Sequence, residues 1–121
     1  MTDLVQTIAN ILYDKNAKDI VALDVSKLTV ITDCMLIASG RNTIQVRAMA
    51  EEVDERLSEM GIEPTRKEGF QDAHWIVMDY GTVLVHIFHE EERNYYRLEK
   101  LWEQEDNRIP LVFEDKGISK N

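Results

Sequence analysis

Apolar residues recur at helical spacing near the start of the chain, at Leu4, Val5, Ile8, Ile11 and Leu12. This predicts an amphipathic helix over 2–15. Residues 16–18 break it, and Ile20, Val21, Ala22 and Leu23 form a short apolar strand ending at Asp24. A connection over 25–28 follows, and after Asp33 a second apolar run over 34–38 stops at Ser39-Gly40. The strongest stripe comes next: Val46, Met49, Ala50, Val53, Leu57 and Met60 lie on one face of a helix. Asn42 followed by Gln45 reads as a capping box, and Gly61 as a C-terminal stop. A short strand is predicted over 62–66, where Pro64 marks an edge or a strand start. Glu68, Gly69 and the residues to Ala73 read as a loop. A last helix is predicted over 90–104, with Tyr95, Leu98, Leu101 and Trp102 on one side.

Between that loop and the last helix, residues 75–88 form a hairpin with a tight Tyr80-Gly81 turn. If Asp79 faces Thr82, alternation assigns every side chain to a face. Ile76 and Met78 share one face with Val83, Val85 and Ile87, a uniformly apolar set that must be buried. The other face carries Trp75, Val77, Asp79, Thr82, Leu84, His86 and Phe88. That mixture of aromatics, an acid and a histidine suits a surface that touches something else.

The predicted order is α β β α β β β α, without internal repeat or linker. It implies an α/β fold of the α+β kind, a mixed sheet of about five strands with flanking helices. Beyond residue 105 charge rises and pattern fades, so 106–121 reads as a charged C-terminal extension. Its segment 109–113 is expected to dock locally, and 114–121 reads as a solvated tail.

With 121 residues, 44% of them hydrophobic, the chain suits one domain with one core. Its 14 basic and 23 acidic residues give a net charge of −9. Such a chain is repelled by phosphate backbones, so no direct DNA binding is expected. A basic protein surface suits it better, although acidity also simply disperses a soluble protein. Cys34 is the single cysteine, which excludes an intrachain disulfide and fits a reducing compartment. No basic-then-apolar leader is evident, nor any run near the roughly 20 apolar residues of a membrane span. A cytoplasmic protein with no membrane partner is expected.

Ser39-Gly40, at a strand end before a helix, is where phosphate-binding loops occur. A nucleotidyl-transferring site would also need paired acids on a neighbouring strand to hold a metal, and no Asp-x-Asp or Asp-x-Glu lies on the assigned strands. His86 and His89, three apart on a strand, point to opposite faces and cannot share an ion. No Cys-His spacing matches a zinc site, so neither metal nor cofactor is expected. His86 instead reads as a hydrogen-bonding residue beside Trp75, which faces it in this pairing. Cys34 reads as a buried structural cysteine, and the run Glu90-Glu91-Glu92 as a complement to a helix dipole. Of Tyr95 and Tyr96, one is expected in the core and the other exposed. Trp75 is the best candidate interface anchor, packing beneath the first helix being the alternative.

Several segments together resemble a known family: Thr32-Asp33-Cys34-Met35-Leu36-Ile37-Ala38-Ser39-Gly40, Gln45-Val46-Arg47-Ala48, Glu68-Gly69, Trp75-Ile76-Val77-Met78-Asp79-Tyr80-Gly81 and Val85-His86-Ile87-Phe88. Arg93 and the set Tyr96, Leu98, Glu99, Leu101 and Trp102 complete the pattern. In this order they are similar to the ribosomal silencing factor, or Iojap-like, family. Arg41-Asn42 departs from the commoner Thr-Ser after the glycine but keeps a capping residue. The resemblance implies a silencing domain over 1–105, with a nucleotidyltransferase-like fold lacking the catalytic acids. It implies a translational repressor rather than an enzyme. Such a repressor binds the large ribosomal subunit through the fourteenth protein of its L series and blocks joining of the small subunit when nutrients are short. It implies a homodimer when free. Carried onto this chain, the expected contact residues are Trp75, Asp79, Tyr80, His86, Glu68 and Tyr96, with Tyr80 and Glu68 resting on resemblance and loop exposure. The competing reading is a nucleotide-binding or nucleotidyltransferase-like enzyme using Ser39-Gly40.

Overall fold

Nine elements follow one another in the computed structural model, which describes residues 2–113. They are α1 (Thr2–Asp14), β1 (Lys18–Asp24), β2 (Cys34–Gly40), α2 (Thr43–Glu59), β3 (Arg66–Glu68), β4 (Trp75–Asp79), β5 (Val83–His89), α3 (Glu90–Tyr96) and α4 (Leu98–Trp102). The strands form one sheet in the order β1-β2-β5-β4-β3. β2 and β5 run parallel and the other pairs antiparallel, so the sheet is mixed, as the element order implied.

One face of the sheet builds the main core. Ile76, Met78, Val83, Val85 and Ile87 are buried there with Val5, Ile8 and Leu12 of α1 and with Val46, Met49, Val53 and Leu57 of α2. Burial of a large aliphatic side chain stabilises by about 1.5–3 kcal/mol, so this layer holds the fold. α2 begins where the capping residues place it: the Asn42 side chain accepts from the Gln45 N–H at 2.8 Å, and Gln45 Oε1 accepts from the Arg41 N–H at 2.7 Å. Met60 caps the helix and is exposed rather than part of its buried stripe.

The hairpin departs from its expected pairing by two residues. Asp79 faces Leu84, and Trp75 faces Phe88, not His86. The turn centres on Gly81-Thr82, closed by a bond from the Tyr80 N–H to the Val83 carbonyl at 2.9 Å. The cause is local. The Asp79 carboxylate accepts from the Gly81 N–H at 2.8 Å, and the Thr32 hydroxyl donates to the Gly81 carbonyl at 3.1 Å. A slip of two leaves each side chain on its face, so both predicted faces stand, except that Thr82 moves into the turn.

The strand expected over 62–66 lies later, at β3, and Glu68 is its last residue rather than part of a loop. The last helix is also not continuous. Arg97 adopts a left-handed conformation (φ 51°), and its N–H bonds the Arg93 carbonyl, ending α3. α4 then turns so that Leu98 and Trp102 cover part of the second sheet face, while Tyr95 and Leu101 are exposed. The break is held by Arg93, a buried guanidinium that reaches the Glu99 carboxylate at 3.4 Å and the Ser39 hydroxyl at 3.4 Å.

Residues 107–113 run beside β1 and α1. The Ile109 N–H bonds the Ala22 carbonyl, Gln6 and Val112 exchange two hydrogen bonds, and the Tyr13 and Phe113 rings stack at 4.5 Å. Ile109, Leu111 and Phe113 pack on the core, as local docking required. The expected solvated tail, 114–121, lies outside the described residues. Among the described residues, no helix is long and apolar enough to cross a membrane.

Candidate functional site

The second sheet face is where the candidate residues meet. Pairing partners share a face, so Glu68, opposite Val77, joins Val77, Trp75 and Asp79 there, with Leu84, His86 and Phe88 behind them. α1 lies on the other face, so Trp75 does not pack beneath it. The core on this side is a smaller apolar layer of Val21, Leu23, Met35, Ile37, Leu84 and Phe88, with Trp75, Val77, Leu98 and Trp102 only partly buried against it.

Trp75 is the hub. Its indole stacks on Phe88 at 4.8 Å between ring centroids and meets Tyr96 at 5.2 Å. Its Nε1–H donates to His86 Nδ1 at 3.1 Å. An indole nitrogen can only donate, so the neutral imidazole carries its proton on Nε2. His86 is 6% exposed, and that Nε2 is buried with no hydrogen-bond partner among the described residues. Burial pulls the imidazole down from 6.5 to about 4, which keeps it neutral near pH 7. Trp75 and His86 are therefore coupled as expected, but diagonally across the ladder. Tyr96 is 49% exposed and Tyr95 80%, with their rings edge to face at 5.0 Å. Neither tyrosine is in the core, because Arg97 ends the helix directly after them.

Tyr80 is the exception among the candidates. It is 9% exposed and belongs to the main core with α1 and α2, on the side away from Trp75. The loop exposure expected for it does not hold, because the turn lies one residue further along and Tyr80, just past β4, packs into the core. Burial raises its phenol well above the ordinary range, and its hydroxyl has no hydrogen-bond partner among the described residues. Asp79 is half-buried and spends one carboxylate oxygen on the Gly81 N–H. Glu68 is exposed on the β3 edge beside Arg66 at 3.9 Å.

Residues behind the face set its geometry. Gly69 has φ 88°, and a Cβ there would collide with the Trp75 carbonyl oxygen. Only glycine lets the 69–74 loop approach the start of β4 so closely. The Arg47 side chain holds that loop to α2 by donating to the Phe70 carbonyl at 3.0 Å and the Gln71 carbonyl at 2.8 Å. Sequence reading did not assign these roles, nor that of the buried Arg93. A positive charge flanking the apolar stripe of α2 was the available signal for Arg47.

The Ser39-Gly40 corner is engaged with its own chain. The Ser39 hydroxyl donates to the Lys18 carbonyl at 3.2 Å, and Gly40 packs against Met49 and Val46. Cys34 is buried, and burial raises its thiol to about 11, with Asp24 and Asp33 adding to the effect. This leaves the thiol protonated near neutral pH.

A family model described as ribosomal silencing factor during starvation matches residues 1–120. The chain is 46% identical over 107 residues to the ribosomal silencing factor of Bacillus subtilis, a match covering 88% of this chain and 87% of the relative. A crystal structure from Bacillus halodurans superposes with a TM-score of 0.81 at 40% identity, covering 92% of this chain and 100% of that one. Another, from Chromobacterium violaceum, does so with a TM-score of 0.81 at 32% identity, covering 92% and 94%. Matched along nearly its whole length in sequence and in fold, the chain belongs to the ribosomal silencing factor family.

Proposed function

We propose that this chain represses translation by seating its second sheet face on the large ribosomal subunit and so obstructing the small one. Membership of the family supports a ribosome-associated silencing role. The observation that carries the finer reading is the half-open aromatic face around Trp75. Tyr96 and Trp75 offer large, rigid, partly exposed rings, the residue types that dominate binding energy when a partner excludes water from them. Beneath them the His86 Nε2–H is a buried donor without a partner among the described residues, which a carbonyl on the incoming surface can satisfy. Asp79 and Glu68 rim the same face, and with a net charge of −9 they favour a basic ribosomal protein. The fourteenth protein of the L series is the proposed contact. Silencing then needs occupancy rather than bond-making, and no group on this face is asked to catalyse. The proposed setting is the cytoplasm.

A homodimer in the free state is part of the same proposal. The outer edge of β1 is occupied by the Leu23–Arg108 bridge, whereas β3 presents a short edge unpaired among the described residues, with an open face beside it. Light scattering across a dilution series tests this, and a monomer at every concentration would refute it.

The binding proposal is tested by co-sedimentation with purified large subunits. Tyr96→Ala and Trp75→Ala, each checked for native circular dichroism, are expected to lose binding by about 2 kcal/mol or more if these are anchors. Folded variants that bind as wild type does would place the contact elsewhere.

A further inference from the structure

His74 and His89 lie opposite one another just past the Trp75–Phe88 pair, joined by a bond from the His89 N–H to the His74 carbonyl at 2.9 Å. Their side chains leave the sheet together, with ring centroids 5.9 Å apart and planes nearly perpendicular. Glu92, three residues beyond His89 in the first turn of α3, points a carboxylate oxygen at both. Oε1 is 3.1 Å from His89 Nδ1 and 3.4 Å from His74 Nδ1. One donor atom from each of the three residues falls within 4.8 Å of the other two. His74 is the more open, while His89 and Glu92 are half-buried, so the cluster has a fixed base and an open side.

We propose that His74, His89 and Glu92 form a site for a divalent cation of the zinc type. The donor set is the main reason. Two imidazoles and one carboxylate are borderline ligands suited to zinc, which takes them at about 2.0–2.2 Å in a tetrahedron. Donors on such a tetrahedron lie about 3.3 Å apart; the Glu92–His89 pair, a hydrogen bond at 3.1 Å without the ion, and the Glu92–His74 pair at 3.4 Å are close to that spacing. The fourth position faces solvent. The site recruits one ligand from each of three segments, the loop before β4, the end of β5 and α3. An ion there would tie α3 to the sheet one residue from Trp75. The Glu92 carboxylate between the two imidazoles supplies the negative charge a cation needs, against the partial positive charge of one short helix start. Spacing along the chain does not reveal the pair. His74 and His89 meet only in the observed register, and with the turn one residue earlier His74 would face Ile87.

The test is titration of the untagged full-length chain with Zn²⁺ against a chromophoric zinc chelator, repeated with Co²⁺ to read its visible absorption. The expected result is one ion per chain, a Co²⁺ spectrum of a four-coordinate nitrogen–oxygen site, and a Zn²⁺-dependent rise in melting temperature. His74→Ala and Glu92→Gln should each weaken binding by more than the roughly 10–100-fold lost when an outer-sphere partner is removed. Each should also abolish the thermal shift while keeping the native circular dichroism spectrum. His74 is exposed enough for its variant to fold even if the Glu92 variant does not. Failure of the wild-type chain to compete with the chelator would overturn the proposal, as would His74→Ala binding as tightly as wild type.

Discussion

The indole Nε1–H of Trp75 donates to Nδ1 of His86 at 3.1 Å, which joins the most prominent side chain of the open face to a histidine buried beneath it. The bond exists only while His86 is neutral. A second proton would turn Nδ1 into a donor facing a donor. Protonating the ring that orients Trp75 therefore breaks the bond that orients it.

Stability is expected to fall on mild acidification through His86. The imidazole titrates at about 4 in the folded chain and near 6.5 when unburied. As pH drops, the unfolded chain takes up this proton first, so the contribution is complete above about pH 6.5 and is lost progressively towards pH 4. The loss is about 1.4 kcal/mol per pH unit within that window, on the order of 2–3 kcal/mol between pH 6.5 and 4.5. Urea unfolding at pH 7 and pH 4.5 should show wild type losing more stability than His86→Gln. Equal losses would mean that His86 is not held neutral.

Gly69→Ala is expected to destabilise the chain and disturb Trp75. The new methyl group meets the Trp75 carbonyl at a residue whose φ is already 88°. Backbone strain alone is worth about 1–3 kcal/mol, and the collision adds to it. Thermal unfolding and Trp fluorescence should both change. A melting temperature equal to that of wild type would show that the loop relaxes without cost.

Tyr80→Phe is expected to leave large-subunit binding unchanged and to raise stability slightly. The hydroxyl it removes is buried and lacks a hydrogen-bond partner among the described residues, a situation worth about 1 kcal/mol or more in its removal. Parallel denaturation and co-sedimentation would check this. Lost binding with an intact fold would return Tyr80 to the interface.

Alternation made the two faces of the hairpin legible from sequence, and it survived a pairing error because the slip was an even number of residues. Trp75, Asp79 and His86 gather on one face as a result, and Glu68 and Tyr96 join them through β3 and α3. Register was not legible. It depends on where the Asp79 carboxylate and the Thr32 hydroxyl bind the turn, and Thr32 lies far away along the chain. Tyr80 was misplaced for the same reason. The division of the last helix was hidden too, since a left-handed arginine carries no local signal of the kind glycine gives. Arg97 adopts that conformation where Arg93, Glu99 and the Leu98–Trp102 contacts with the sheet are satisfied together, which is a tertiary decision.

Steric silencing is tested most directly by subunit joining. Purified large subunits are preincubated with the chain to saturation, small subunits are added, and joined ribosomes are resolved on a density gradient. Joining is expected to fall in proportion to occupancy of the large subunit, folded Trp75→Ala to restore it, and added salt to weaken the effect by screening the acidic rim. Large subunits saturated with the wild-type chain that still join small subunits at the normal rate and extent would contradict steric silencing.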